Sequence, residues 1–315
     1  MTRLLVLGDL NLDVFAARPD AGTPVDVRGG EVRSPVRVRP GGSAGTFAWT
    51  AATRGADVRF IGSVGRDIAG DLLVEWLRRV GVETDVERPP DATGVVLALQ
   101  QADQRTIICS RSANDGLATY RITEDTFDGV DHLHVSGYAF LSDAQRPVAR
   151  AIIAEARTRG IAFSVDPPPA ALIEAFGSER LLALMEGASF AFPNLAEGRV
   201  LTGATDPQRI ADSLVSRFAY GALTLGEDGA VAWTPDAQCT AEADRIETSD
   251  NVGAGDTFAA AFIVAWYASR NLQTAVHAGC TAAHDLLHAR GFGSALLPAP
   301  SALLSSVYEK GGSPS

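Results

Sequence analysis

The 315-residue chain has a globular composition, with 46% hydrophobic residues, 21% charged residues and a formal net charge of −11. Its length allows one large α/β domain or two ordinary domains, and either arrangement can bury a substantial core. The negative charge and the absence of a basic cluster in the sequence disfavour nucleic acid or an anionic membrane as the main partner. No stretch approaches the ~18 uninterrupted apolar residues of a membrane span.

The cysteines and the first residues indicate a cellular compartment. Cys109, Cys239 and Cys280 are widely separated and match neither a disulfide framework nor a zinc-binding pattern, which favours a reducing cytoplasm. The start, MTRLLVLGDLNLDVF, has a short apolar run followed at once by Asp9 and Asp13. A secretory signal does not carry acids there. We therefore expect a first buried strand and a cytoplasmic protein.

Short apolar runs alternate with amphipathic segments along the chain. The predicted strands cover 3–10, 57–65, 131–137, 161–167, 188–194 and 222–226. The predicted helices cover 41–55, 69–81, 142–160 (with Ser142 or Asp143 as N-cap), 178–187, 206–221 and 257–271. Strands that alternate with helices of this length predict a parallel sheet covered on both faces.

Two regions, 14–39 and 93–110, break this alternation. The first alternates Val with polar residues without a helical period, and the second is typical of a hairpin across Ala102 and Asp103. Both follow early sheet strands at the carboxyl ends where doubly wound sheets bind ligands. The interpretation is a main domain of 1–13, 40–92 and 111–315 with a small β lid formed by 14–39 and 93–110. A decorative edge hairpin is the alternative.

The stretch SDNVGAGDTFAAAF (249–262) places Gly253, Ala254 and Gly255 before Asp256, at the start of the last predicted helix. The first amides of a helix lack partners within it, and small residues let a phosphate approach them closely. A carboxylate there can accept the proton of a hydroxyl that attacks a γ-phosphate, or it can merely cap the helix. The flexible glycines favour the phosphate site, because a cap does not need them.

Other site patterns are absent or weak. Neither the Walker pattern nor a Gly-x-Gly-x-x-Gly after the first strand is present, which disfavours a P-loop enzyme and NAD binding. HDLLH (284–288) would place His284 and His288 on one helix face, but Asp285 replaces the Glu of zinc proteases. A zinc hydrolase is therefore a remote alternative to a surface histidine stripe.

Seven segments in the same order resemble the ribokinase-like (PfkB) carbohydrate kinases. They are GDLNLD (8–13), the stretch from GGSAGTF to GRDIAG (41–70), QRTI (104–107) with SAN (112–114), HVSG (134–137), PNLAE (193–197), TLGEDG (224–229) and DNVGAGD (250–256). The resemblance covers nearly the whole chain. It implies a Rossmann-like αβα sandwich with a small β-sheet lid, and transfer of the ATP γ-phosphate to an alcohol group of a sugar.

The resemblance also implies roles for single residues. Asp256 would be the base, and Gly253, Ala254 and Gly255 would form the anion hole. The substrate would contact Asn11, Asp13, Gly41, Gly42 and Thr46. Independently of the resemblance, Arg105 in the lid could meet a phosphate or an acidic substrate, or it could equally be a solvated strand residue. Asn194, Thr224 and Gly226 would lie along the nucleotide, and Glu197 would hold Mg2+ through water. Asp250 would lie at a monovalent-cation site, which makes K+ a candidate cofactor beside Mg2+ and the co-substrate ATP. A homodimer through the lid is a further expectation of the resemblance.

Several positions depart from the usual family pattern and leave the substrate open. Position 46 is Thr where sugar-specific members usually have Asn, and position 251 is Asn where Thr is usual. VDPPPAA (165–171) keeps an acid, Asp166, that could face the site, but it lacks the usual Asn and Arg. A nucleoside kinase, with Phe15, Phe47 or Trp49 as a wall for the base, is one alternative. A ligand-sensing homologue without catalysis is the other.

Overall fold

The computed structural model describes residues 1–17, 34–101, 104–246 and 250–291. The strands in these ranges are β1 (Arg3–Leu7), β2 (Asn11–Ala17), β3 (Val36–Gly41), β4 (Asp57–Ser63), β5 (Glu83–Glu87), β6 (Val95–Gln101), β7 (Gln104–Ser110), β8 (His132–Ser136), β9 (Ala162–Asp166), β10 (Phe190–Ala191), β11 (Tyr220–Thr224), β12 (Ala230–Trp233) and β13 (Gln238–Ala241). The α-helices are α1 (Ser43–Thr53), α2 (Ile68–Arg79), α3 (Tyr138–Leu141), α4 (Arg146–Thr158), α5 (Ala170–Phe176), α6 (Ser178–Leu184), α7 (Leu195–Thr202), α8 (Pro207–Val215), α9 (Ala254–Ser269) and α10 (Leu272–Gly291).

Within the described ranges, nine strands form one large sheet in the order β13-β12-β11-β10-β9-β8-β1-β4-β5. The strands from β11 to β5 are parallel to their neighbours, whereas β12 and β13 pair antiparallel at one edge. The alternation of strands and helices in the sequence predicted this parallel sheet, and the prediction is confirmed. The two antiparallel edge strands were not predicted.

Two layers of helices cover the sheet. Leu4 and Val6 of β1 join the apolar cluster on one face, and Leu5 and Leu7 join the other, because side chains alternate along a strand. All four side chains are fully buried, and each stabilises the folded state by about 1.5–3 kcal/mol. Helices α1, α2, α9 and α10 pack on the first face, and α4 to α8 pack on the second. The result is the αβα sandwich that the sequence predicted.

A second sheet of four strands has the order β3-β2-β6-β7. Strands β2 and β6 are parallel, and the other pairs are antiparallel. Both regions that break the helical alternation supply strands to this small sheet, as predicted. The turn at 102–103 and residues 18–33 lie outside the described residues.

The structure corrects two predicted helix starts. The helix predicted from 142 begins at Arg146, after the short helix α3, and its N-cap is Gln145. Ser142 lies outside this helix, but its hydroxyl caps the turn that leads into it: it accepts from the Gln145 N–H at 3.3 Å and donates to Asp115 Oδ1 at 2.7 Å. The helix predicted from 257 begins at Ala254. No helix in the described part of the chain is long and apolar enough to span a membrane.

Candidate active site

The residues that the sequence singled out gather at the carboxyl edge of the large sheet. Strand β9 ends at Asp166, β11 ends at Thr224, and Asn194 follows β10. Because the carboxyl ends of parallel strands meet at one edge, these side chains share a side of the molecule. The chain passes from β1 into β2 of the small sheet through Gly8–Leu10, so the small sheet starts at the same edge.

The N-terminus of α9 has the geometry of an anion-binding turn. Gly253 is the N-cap in the left-handed conformation, with φ 79°, which an L-residue with a side chain rarely adopts. Ala254, Gly255 and Asp256 form the first turn, where a helix supplies no acceptors for the N–H groups and its dipole is positive. A Cβ built on Gly255 would meet nothing within 4 Å, so this side of the turn is open.

Three acids converge beside this turn. The Asp256 and Asp166 carboxyls lie close together, and Glu197 is near enough to interact with both electrostatically. Burial, together with the charges of Asp256 and Glu197, raises the pKa of Asp166 well above its usual range. Burial also raises the pKa of Glu197 to about 8, against the opposing hydrogen bonds from Asn194. The cluster therefore favours the binding of protons or of a cation.

The donor set of this cluster fits Mg2+, because carboxylate oxygens are the ligands that Mg2+ prefers. Among the described residues, no three acidic, histidine or cysteine side chains stand close enough together to ligate a metal ion directly. A Mg2+ ion bound at Glu197 and Asp166 would therefore keep several water ligands, as is usual for this ion.

Two residues near this cluster, Asp166 and Tyr138, have no assigned role in the sequence prediction. The sequence marks Asp166 only as an acid that could face the site, and no motif singles out Tyr138. Tyr138 follows β8 closely, and burial, with the charges of Asp256 and Asp9, raises the pKa of its hydroxyl above the usual range. Their positions could have indicated a role at the site, because each residue lies at or just after the carboxyl end of a central parallel strand.

The residues predicted to contact the substrate lie where β2 pairs with β3. Asn11 lies opposite Gly41, and Asp13 lies opposite Arg39. A Cβ on Gly41 would collide with the Asp13 carboxylate, and a Cβ on Gly42 (φ 88°) would collide with the carbonyl of Asp9. The two glycines are therefore required for the close approach of these polar groups to the backbone.

A buried hydrogen-bond network fixes the orientation of the Asn11 amide. Asn114 Oδ1 accepts from the Leu10 N–H at 3.3 Å, so Asn114 Nδ2 is the group that donates to Asn11 Oδ1, at 2.6 Å. Gln145 Nε2 supports this arrangement by donating to the Asn114 carbonyl and to Asp9 Oδ1, each at 2.8 Å. The Asn11 NH2 group has no partner among the described residues, which leaves both of its N–H donors available.

Asp9 is held in the same network. Its carboxylate accepts from Arg111 Nη1 at 2.9 Å and from Nη2 at 3.3 Å, and its side chain is almost completely buried. This bidentate pair compensates the buried charge of Asp9. It also links the segment after β1 to the segment after β7.

The residues predicted along the nucleotide are neighbours. Asn194 and Thr224 form an isolated parallel bridge, and Gly226, with φ 65°, follows at the next turn. Asn194 and Glu197 form a reciprocal capping box of α7. The Glu197 oxygens accept from the Asn194 N–H at 2.9 Å and from Nδ2 at 2.6 Å. The Asn-x-x-Glu pair thus has a clear structural role beside any role towards a ligand.

Two further predicted residues are only partly described. Thr46 lies beside the anion-binding turn, since a Cβ on Gly253 would be 3.2 Å from its methyl group. Arg105 belongs to strand β7, but its side chain lies outside the described part of the structure.

Asp250 is engaged by an arginine of the small sheet. Its two carboxylate oxygens accept from Arg39 Nη1 at 2.6 Å and Nη2 at 3.0 Å, and the guanidinium lies 3.8 Å from the ring centroid of Phe15. The family resemblance places the late loop GFGS (291–294) near Asp250, but the described residues end at Gly291. His284 and His288 stack on each other on α10, and no metal-ligating group forms around them within the described residues.

Comparisons with known proteins agree with this fold. Residues 1–299 match the family described as pfkB family carbohydrate kinase. The bifunctional protein HldE of Gluconobacter oxydans (strain 621H) is 32% identical over 298 residues, which cover 87% of this chain and 58% of the relative's length. The 2-dehydro-3-deoxygluconokinase of Bacillus subtilis (strain 168) is 31% identical, with coverage of 70% and 72%. The ATP-dependent ribose-1-phosphate kinase of Halopiger xanaduensis is 29% identical, with 88% of each chain covered.

Solved structures share the fold at lower sequence identity. The adenosine kinase of Sinorhizobium meliloti superposes with a TM-score of 0.81 at 20% identity, covering 98% of this chain and 99% of that one. An E. coli protein described as a ribokinase II, in complex with ATP and Mg2+, has a TM-score of 0.78 at 20% identity, with 90% and 92% covered. These two likenesses show the ribokinase-type fold. With the match over residues 1–299, they lead to one conclusion: the chain belongs to the pfkB family of carbohydrate kinases, which are ATP-dependent phosphotransferases.

Proposed function

We propose that the protein transfers the γ-phosphoryl group of ATP to an alcohol group of a small sugar or sugar derivative. The observation that carries the proposal is the first turn of α9, where Asp256 follows the left-handed Gly253 at an open helix N-terminus. An anion-binding turn and a carboxylate at one edge are the two groups that phosphoryl transfer to a hydroxyl needs.

In this proposal Asp256 accepts the proton of the attacking hydroxyl and orients that hydroxyl towards the phosphorus atom. Phosphoryl transfer has a loose transition state, so orientation and late proton acceptance are the main tasks of the base. The Gly253, Ala254 and Gly255 backbone stabilises the negative charge on the transferring group. Asp166 lies close to Asp256 and would help to position it.

The nucleotide would lie along Asn194, Thr224 and Gly226, at the ends of β10 and β11. Mg2+, held at Glu197 through water and near Asp166, would supply charge neutralisation for the phosphates. The raised pKa values of Asp166 and Glu197 support a cation in this position, because a bound cation replaces the protons that the two acids otherwise retain.

The acceptor would bind at Asn11, Asp13, Gly41 and Gly42, with Thr46 and Arg105 as further contacts. The fixed Asn11 NH2 group donates and the Asp13 carboxylate accepts, a combination that suits vicinal oxygens of a polyol. Two of the relatives are named as kinases of sugar derivatives, which favours the same class here.

A nucleoside acceptor is the second candidate, and three aromatic side chains weigh against it. Phe47 is fully buried and stacks on His134 at 3.6 Å between ring centroids. Trp49 stacks on Trp76, and the Phe15 ring is covered on one face by Arg39. Each of the three rings thus already has one face occupied by another side chain. The likeness to an adenosine kinase, at 20% identity, concerns the fold.

The proposal includes a homodimer through the small sheet and a cytoplasmic location. Val38, Val14, Leu97 and Ile108 lie side by side across the four strands, and Val38 and Ile108 are 43% and 55% exposed. Such an apolar row on an exposed sheet face suits contact with a second copy. The three cysteines are free, which supports a reducing compartment.

The test is ADP release from MgATP over a panel of pentoses, hexoses, keto-deoxy sugar acids and nucleosides, with Asp256→Asn beside the wild type. We expect one sugar class to be turned over, and the variant to lose about 10²- to 10⁴-fold in kcat while MgATP binding changes little. Asp236→Asn, an exposed acid in the β12–β13 turn, is the matched control and should behave as wild type. Normal turnover by Asp256→Asn would refute the proposal that Asp256 is the base that accepts the proton of the attacking hydroxyl. MgATP binding without turnover across the panel would favour the ligand-sensing homologue.

A further inference from the structure

The Arg39–Asp250 pair connects the small sheet to the segment that leads into the anion-binding turn. Arg39 is held in β3 opposite Asp13, and Asp250 lies just before Val252 and Gly253. The Arg39 side chain is only 10% exposed and that of Asp250 only 21%. The guanidinium is planar, forms a two-point contact with the carboxylate and packs on the Phe15 ring, so its orientation is set from three directions.

The donor set at Asp250 does not fit a potassium ion. Both carboxylate oxygens already accept from Arg39, and Oδ1 also accepts from the Val252 N–H at 3.4 Å. A potassium ion would have to displace a guanidinium that carries the same single charge and cannot lose it by deprotonation. In this chain the Arg39 guanidinium therefore occupies the position at Asp250 where the family resemblance predicts a monovalent cation.

The positive charge of Arg39 beside Asp250 affects the electrostatic potential at the first turn of α9. Asp250, Asp256, Asp166 and Glu197 are all acids near the turn that is proposed to receive a phosphate. A carboxylate left without a counter-charge close to that turn would repel the phosphate, and screening by water is weak for partly buried groups. Neutralising Asp250 therefore favours anion binding at the first turn of α9.

We propose that the Arg39 guanidinium serves as a built-in monovalent cation for Asp250, so that the protein holds its phosphate-binding turn without potassium. The inference rests on the proposed function, since it concerns the same turn. It makes Arg39 a positioning residue, because it acts on the turn through Asp250 and does not touch the phosphate itself.

The experiment measures the binding of Mg–AMP-PNP to the full chain by calorimetry, in KCl and in tetramethylammonium chloride at equal ionic strength. Tetramethylammonium is too large to enter a potassium site. We expect the wild-type Kd to agree within about twofold between the two salts. In tetramethylammonium we expect Arg39→Met to weaken binding about tenfold, or about 1.4 kcal/mol, and potassium to recover part of that loss.

Two further variants separate charge from structure. The double variant Arg39→Met with Asp250→Asn removes both charges, so its Kd should return towards wild type and should not respond to potassium. Arg37→Met, on the same strand and exposed, is the matched control and should leave the Kd unchanged. If Arg39→Met does not fold, Arg39→Lys takes its place, and it should keep a potassium-independent Kd because it keeps the charge.

The outcomes distinguish this inference from the proposed function. A wild-type Kd that potassium lowers fivefold or more overturns the inference and leaves the kinase proposal standing. An unchanged Kd in Arg39→Met, or no recovery in the double variant, overturns it as well. A wild type that binds no Mg–AMP-PNP in either salt overturns the kinase proposal together with the inference.

Discussion

Replacement of Gly253 by alanine tests whether the left-handed N-cap of α9 shapes the anion-binding turn. The native φ is 79°, and a residue with a Cβ pays about 1–2 kcal/mol to adopt the left-handed conformation. The added methyl group would lie 3.2 Å from Thr46 Cγ2, closer than the roughly 3.5–4.0 Å optimum for two carbon atoms. We therefore expect the free energy of unfolding to fall by about 1–3 kcal/mol and Tm to fall by roughly 2–6 °C.

Gly81→Ala is the matched control for the cost of placing a residue with a Cβ in the left-handed conformation. Gly81 has φ 87° just after α2, and a Cβ there would meet nothing within 4 Å. Thermal unfolding should show a similar loss of stability in both variants. Only Gly253→Ala should also lose phosphoryl transfer, by about 10²-fold in kcat, the usual cost of removing one oxyanion donor. The reasoning fails if Gly253→Ala loses stability as expected but keeps a normal kcat, because the turn would then not act on the transferring phosphate.

Two further predictions concern the acid cluster and the acceptor network. Burial raises the pKa of Glu197 from 4.5 to about 8, so between these values the folded protein retains a proton that the unfolded chain has released. The free energy of unfolding in metal-free buffer should therefore fall as the pH rises from about 4.5 to 8, and Glu197→Gln should flatten this slope; equal slopes in thermal melts would contradict the burial argument. Asn114→Ala should release the Asn11 amide and leave the Leu10 N–H without its partner, at a cost of about 1–3 kcal/mol. Its KM for the acceptor should rise about tenfold with the KM for ATP unchanged, and an equal rise in both would mean a general loss of structure.

The sequence predicted those features that depend on local pattern. Strand and helix alternation followed from the periodicity of apolar residues, and the anion-binding turn followed from Gly253 and Gly255 beside one acid. The N-terminus of α4 was misplaced because residues 143–145 form a turn rather than the first turn of the helix, although the Ser142 hydroxyl accepts from the Gln145 N–H as a capping residue does. Strands β12 and β13 are four residues each, which is too short for a clear periodic signal.

Contacts between segments that are far apart in the chain could not be predicted from the sequence. Arg39 and Asp250 are 211 positions apart, and nothing in either neighbourhood indicates the other. Asp166 and Asp256 come together from β9 and α9, which are distant in the sequence, so the pKa shifts that follow from their proximity could not be anticipated. Phe47 and Trp49 were considered as a wall for a base, but the packing of α1 directs both rings towards other aromatic side chains.

The fixed Asn11 amide has a consequence for discrimination between acceptors. Because Asn114 sets its orientation, the NH2 group cannot turn away when the ligand lacks an oxygen at that point. In the proposed acceptor site, a deoxy analogue would leave this buried donor unpaired, and losses from such unpaired groups are far larger than those from one extra methylene group. The proposal therefore predicts that the protein discriminates strongly against acceptors that lack the hydroxyl group at Asn11.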